Sequence, residues 1–75
     1  MIFSEIQSYD PSRDMDMIRL FSFDEHGQEY WTLIPATTGA SLRQIRLQAQ
    51  QSIEESVQMK RGPGEVKLGF FGEYS

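Results

Sequence analysis

His26 is the chain's only histidine and the one side chain whose ordinary pKa lies near neutrality. It stands in "DEHG", between Glu25 and Gly27, a stretch suited to a tight loop where solvent reaches the ring. A turn residue is expected there rather than a general acid or base. Nucleophilic catalysis needs a serine or threonine activated by a base that a third group orients, and GxSxG does not occur. In "DMD", Asp14 and Asp16 fall on one side of an extended segment. They grip a hard cation only if further oxygen ligands join them, and no EF-hand pattern supplies those. Glu54 and Glu55 are adjacent on a helical stretch and therefore diverge, which is wrong for a catalytic carboxylate pair. With no cysteine and one histidine there is no Cys/His zinc set. Gly39, Gly62 and Gly64 belong to neither GxxxxGK[ST] nor GxGxxG. The expectation is a non-enzymatic protein with no catalytic residues, no cofactor and no metal.

The aromatic residues offer a different chemistry. Phe21, Phe23, Tyr30 and Trp31 fall in one strand-like region, and on a sheet they could stack bases, which makes a single-stranded nucleic-acid binder the alternative reading. The basic groups that should accompany them are sparse, Arg19 being the only one nearby. The net charge is −4, and residues 1–35 hold seven acidic groups against two basic, a local balance of −5. Such a balance opposes attachment to phosphate backbones and suits a basic protein partner or plain solubility.

These residues need elements to hold them. "IRLFSFDEHGQEYWTLI" reads as two strands joined at "DEHG", with Gly27 supplying a positive φ after Glu25 and His26. Asp24 then opposes Gln28. That register puts Met17, Arg19, Phe21, Phe23, Trp31 and Leu33 on one face, and Ile18, Leu20, Ser22, Tyr30, Thr32 and Ile34 on the other. Both faces are more apolar than polar. Downstream, Ser41 and Gln44 form a capping box that starts a helix, and Gly62-Pro63 marks its stop. At 100° per residue, Leu42, Ile45, Ala49, Ile53, Ser56 and Met59 make one narrow stripe, with Leu47 left on the polar side. "GPGEVKLGFF" supplies a turn at Pro63-Gly64 and a short strand with Val66, Leu68 and Phe70 on one side. "DPSRD" is a turn. At the amino end, "IFSEIQSY" alternates as a strand, while Ile2, Phe3 and Ile6 also suit one helical turn.

The turn, strand, capped helix and "KRGPG" of residues 24–64 resemble the carboxy-terminal half of the small head-to-tail joining proteins of lambda-like phages. The resemblance implies a viral structural or regulatory role. The amino end departs from that family, which has a long helix where this chain has strand-like or turn-like sequence.

The expectation is therefore one small α+β domain over residues 1–75, in the order β-β-β-α-β, with an antiparallel-rich sheet and one amphipathic helix on one face. A helix of about 20 residues is about 30 Å long and 10 Å wide, enough for one face of a small sheet. If Phe21, Phe23, Trp31 and Leu33 lie under it, then Ile18, Leu20, Tyr30 and Ile34 form an open apolar patch. Together with Leu47 they are the expected partner-binding residues. The partner would be a second copy, giving a homodimer, or a larger basic protein that this acidic chain inhibits or regulates. No apolar run approaches the roughly 18 residues needed to cross a bilayer. There is no signal-peptide pattern, and the lack of cysteine fits a reducing compartment, so a soluble cytoplasmic protein is expected.

Overall fold

Gly27 closes the central hairpin with a φ of 77°. Its N–H donates to the Asp24 carbonyl at 3.0 Å, and the Asp24 N–H donates to the Gln28 carbonyl at 3.1 Å, so Asp24 faces Gln28 as the loop chemistry implies. The structure, a computed structural model, describes residues 1–36 and 42–68. From that loop β2 (Met15–Phe23) and β3 (Glu29–Pro35) run antiparallel without a bulge, from Phe23 opposite Glu29 to Met17 opposite Pro35.

The amino end, open between strand and helical turn on sequence alone, is strand β1 (Ser4–Asp10), antiparallel to β2 with Ser4 opposite Phe21 and Asp10 opposite Met15. "DPSRD" makes the turn between them. The Ser12 N–H and hydroxyl donate to Asp10 Oδ1 at 3.0 and 2.6 Å. With the Arg13 guanidinium 3.3 Å away, they hold the Asp10 carboxyl below its ordinary pKa, the Ser12 hydroxyl contributing most. Asp14 completes the turn with a φ of 50° and accepts a hydrogen bond from the Tyr9 hydroxyl.

The helix α1 (Leu42–Gln58) buries Ala49, Ile53 and Ser56, with Leu42 and Ile45 packed against the core edge, all members of the stripe read from the sequence; Val57, outside that stripe, packs there as well. Ser41 lies outside the described residues. Met59, expected at the stripe's end, is exposed because the helix stops before it. The stop is also earlier than Gly62-Pro63 suggested. Lys60 takes a left-handed φ of 56°, its N–H donates to the Val57 carbonyl at 3.2 Å, and the Arg61 N–H donates to the Ser56 carbonyl at 2.9 Å. That pair of bonds is a Schellman termination, with lysine at the position glycine usually fills.

Beyond it, β4 (Gly64–Glu65) lies parallel to β3, with Tyr30 beside Gly64 and Trp31 beside Glu65. Val66 and Leu68 follow into the core, and Phe70 lies outside the described residues. The result is an α+β fold with a four-stranded sheet in the order β1-β2-β3-β4 and one helix packed on it.

The two side-chain sets of the hairpin are those the register predicts, but the helix covers the opposite one. Ile18, Leu20, Tyr30 and Ile34 form the core with Ala49, Ile53, Val66 and Leu68, so the expected open patch is buried. Polar content decides the choice. The face carrying Phe21 and Trp31 also carries Arg19 and Glu29, whose charges lose hydration at a cost of several kcal/mol each if enclosed. Under the helix the other face carries the hydroxyls of Ser22, Tyr30 and Thr32, which are cheaper to bury, its one hairpin charge, Asp16, standing exposed at the strand's end; Ser22 donates to the Ile2 carbonyl and Tyr30 to that of Arg61.

Candidate protein-binding face

The face away from α1 is built by alternate residues of the three long strands. Register places Ile6 of β1 beside Arg19 of β2, Arg19 beside Leu33 of β3, and Phe21 beside Trp31. Ile6 and Phe23 are exposed, Phe21, Trp31 and Leu33 are half-buried, and Met17, flanked by Ser8 and Pro35, is buried. Extended backbone makes this grouping unavoidable, since a period of two sends every second side chain to one side.

Arg19 organises the centre of the face. Its guanidinium lies 4.7 Å from the Trp31 ring centroid and 5.9 Å from that of Phe21, and its Nη2 is 3.1 Å from Glu29 Oε1. A cation over the electron-rich face of an indole is attracted by about 0.5–1 kcal/mol at a partly exposed site. Phe21 and Phe23 meet edge to face, with centroids 6.0 Å apart and planes at 88°, an arrangement that keeps both rings in defined orientations. The centre of the face is thus aromatic, ordered and charge-balanced. Acidic groups stand at its rim, with Glu25 exposed at the hairpin end and Glu65 beside Trp31.

Of the five residues expected to bind a partner, Ile18, Leu20, Tyr30 and Ile34 do come together, beneath the helix rather than in the open. Leu47 is exposed, as expected, on the outer surface of α1 and apart from the other four. The Tyr30 hydroxyl reaches 3.3 Å from the Arg61 carbonyl and 3.5 Å from Asp24 Oδ2, and burial raises its pKa, with the Asp24 charge adding to the shift. Ile6, Phe21, Phe23, Trp31 and Leu33 take the open positions instead. The signal for that exchange was Arg19 together with Glu29, a charge pair on the face assigned to the helix.

The remaining candidates sit elsewhere. The His26 ring is exposed in the hairpin loop, 3.5 Å from Glu25. An open concavity of about 710 Å³ lies between that loop and the end of α1, walled by Glu25 and His26 on one side and Lys60 and Arg61 on the other. Among the described residues no three His, Cys, Asp or Glu converge to hold a metal ion, and no helix is long and apolar enough to cross a membrane. Compared with models of known families, with curated proteins and with solved structures, the chain matches none.

Proposed function

We propose that this chain is a non-enzymatic protein-binding module whose open sheet face docks on an apolar surface of a larger protein with a basic rim. The observation behind this reading is that one helix covers one face of the sheet and leaves the other with Phe21, Phe23, Trp31 and Leu33 outward. Apolar surface left in water forgoes about 25 cal/mol per Å². A partner that removes it gains that amount while meeting only the Arg19–Glu29 pair at the centre, already neutralised in place. The acidic rim selects for basic surroundings and speeds encounter at low salt. A module of this kind works by occupying a partner's surface, as a small inhibitor or regulator does. The absence of cysteine suits a reducing, cytoplasmic setting.

Capture experiments test it. Tagged protein should retain a partner from its native lysate, Phe23→Glu should lose that partner, and Leu47→Glu, on the far side of the molecule, should keep it. Retention that is indifferent to Phe23 defeats the reading. The second reading, a base-stacking platform, draws on the open position of Phe21, Phe23 and Trp31 with Arg19 beside them. It requires oligonucleotide binding that weakens as salt rises, whereas the protein-binding module shows none at either salt.

A further inference from the structure

The sheet has two edges of unequal kind. The β4 edge is two residues long, while β1 presents seven residues, without proline, lysine or a bulge. Those are among the devices by which natural sheets blunt an edge; β1 has none of the three, and its two charges, Glu5 and Asp10, are both paired within the chain.

The direction of its backbone groups follows from the hairpin. The Asp24 N–H bonds to the Gln28 carbonyl, and the Asp16 carbonyl accepts from the Ala36 N–H, so even-numbered residues of β2 aim their backbone groups at β3. Odd-numbered residues of β2 therefore aim at β1, where register pairs them with Ser4, Ile6, Ser8 and Asp10. Glu5, Gln7 and Tyr9 are left with N–H and C=O pointing away from the sheet, and among the described residues no strand pairs with them. A row of alternating donors and acceptors at strand spacing is completed by another strand.

We infer that the occupant is β1 of a second copy, paired antiparallel about a two-fold axis through Gln7. That centre is the one that overlaps all seven residues, and it sets Gln7 opposite its own counterpart, Glu5 opposite Tyr9, Ile6 opposite Ser8 and Ser4 opposite Asp10. No like charges face each other, and the two acids are already engaged within their own chain, Glu5 by Arg46 at 2.8 Å and Asp10 by Arg13 and Ser12. Glu5, Gln7 and Tyr9 are exposed, so nothing of their own chain has to move aside. The axis stands perpendicular to the sheet. Both helices then lie on one side of an eight-stranded sheet, and the two open faces join on the other. The edge is a separate surface from the open face, and its occupation does not depend on what binds there.

Sedimentation of the purified chain between about 1 and 100 μM, the range for a small interface, should show a reversible dimer. Gln7→Pro removes an outward N–H without touching the β1–β2 ladder. It deletes two backbone bonds per dimer and should lower the association constant about 10- to 100-fold with an unchanged far-UV circular dichroism spectrum. Gln7→Lys, which sets two ammonium groups opposite each other on an exposed position, should act in the same direction. In the wild type, amide exchange at Glu5, Gln7 and Tyr9 should slow as concentration rises. A monomer at the highest concentration overturns the inference, and so does a dimer undiminished in both Gln7 variants. A dimer that survives at Gln7 and dissolves with Phe23→Glu also overturns it, and would move self-association to the open face.

Discussion

Leu20 and Ile6 each carry four side-chain carbons and lie on opposite faces of one sheet, so truncating each to alanine measures which face the helix covers. Either change removes three carbons, worth about 2.4 kcal/mol at full burial if each contributes about 0.8 kcal/mol. Leu20 is 0% exposed between α1 and the sheet, so the whole transfer term is lost and a cavity remains, for a total of about 2.7–5 kcal/mol. Ile6 is 56% exposed on the open face, so less than half of the transfer term applies, water fills the space, and the cost is about 1 kcal/mol. Urea unfolding reports both through the fluorescence of Trp31, the single tryptophan, at one protein concentration for all variants. With a slope of about 1 kcal/mol per molar for a chain this small, Leu20→Ala should move the midpoint by about 3 M or prevent folding, and Ile6→Ala by about 1 M. A larger shift for Ile6→Ala than for Leu20→Ala would mean that the helix sits on the other face.

Other perturbations probe the turns and the helix end. Lys60→Gly relieves a left-handed residue that costs about 1 kcal/mol and should raise the melting temperature by about 4–8 °C in a scanning calorimeter. Asp24 accepts backbone N–H bonds from Gln28 at 2.9 Å and His26 at 2.8 Å, and the Gln28 bond most of all lowers its pKa. A carboxylate held below its ordinary value of about 3.9 stabilises the fold above that pH and loses the contribution as pH falls through the folded value. Asp24→Asn should therefore be less stable than wild type at neutral pH, and the gap in urea midpoint should close below about pH 4. Tyr30 has its pKa raised by burial, so its neutral form stabilises the fold below the ordinary value near 10, and the contribution is lost as pH rises through the folded value. Tyr30→Phe should flatten the alkaline fall in stability followed by circular dichroism. Arg19→Met should cost less than about 1 kcal/mol, since the ring contact and the half-exposed Glu29 pair are each small, while shifting Trp31 emission as the cation leaves the indole.

Much of this fold is written in short stretches of chain. "DEHG" with a glycine at the positive-φ position determines the hairpin register, and the register alone sorts Met17 to Leu33 into two sets, both as observed. The apolar stripe of α1 is a matter of period, and Ala49, Ile53 and Ser56 are buried where that period puts them. Such features depend on backbone conformation within a few residues, which is why they can be read without the rest of the molecule. The helix end was less legible: Gly62-Pro63 is the stronger local signal, yet the Schellman bonds close at Lys60, which tolerates the strain.

Which face the helix covers could not come from period or turn chemistry, because both faces are apolar enough to attract it. Only the assembled sheet sets the hydration of Arg19 and Glu29, from different strands, against the cheaper burial of Ser22 and Thr32. The placing of β4 parallel to β3 is likewise tertiary. It depends on where α1 returns the chain and on the room for Val66 and Leu68 beside Tyr30 and Ile34. Residues a few positions apart thus determined the elements and their two-sided chemistry, and the competition between the charges of Arg19 and Glu29 and the hydroxyls of Ser22 and Thr32 decided which side of the hairpin meets water.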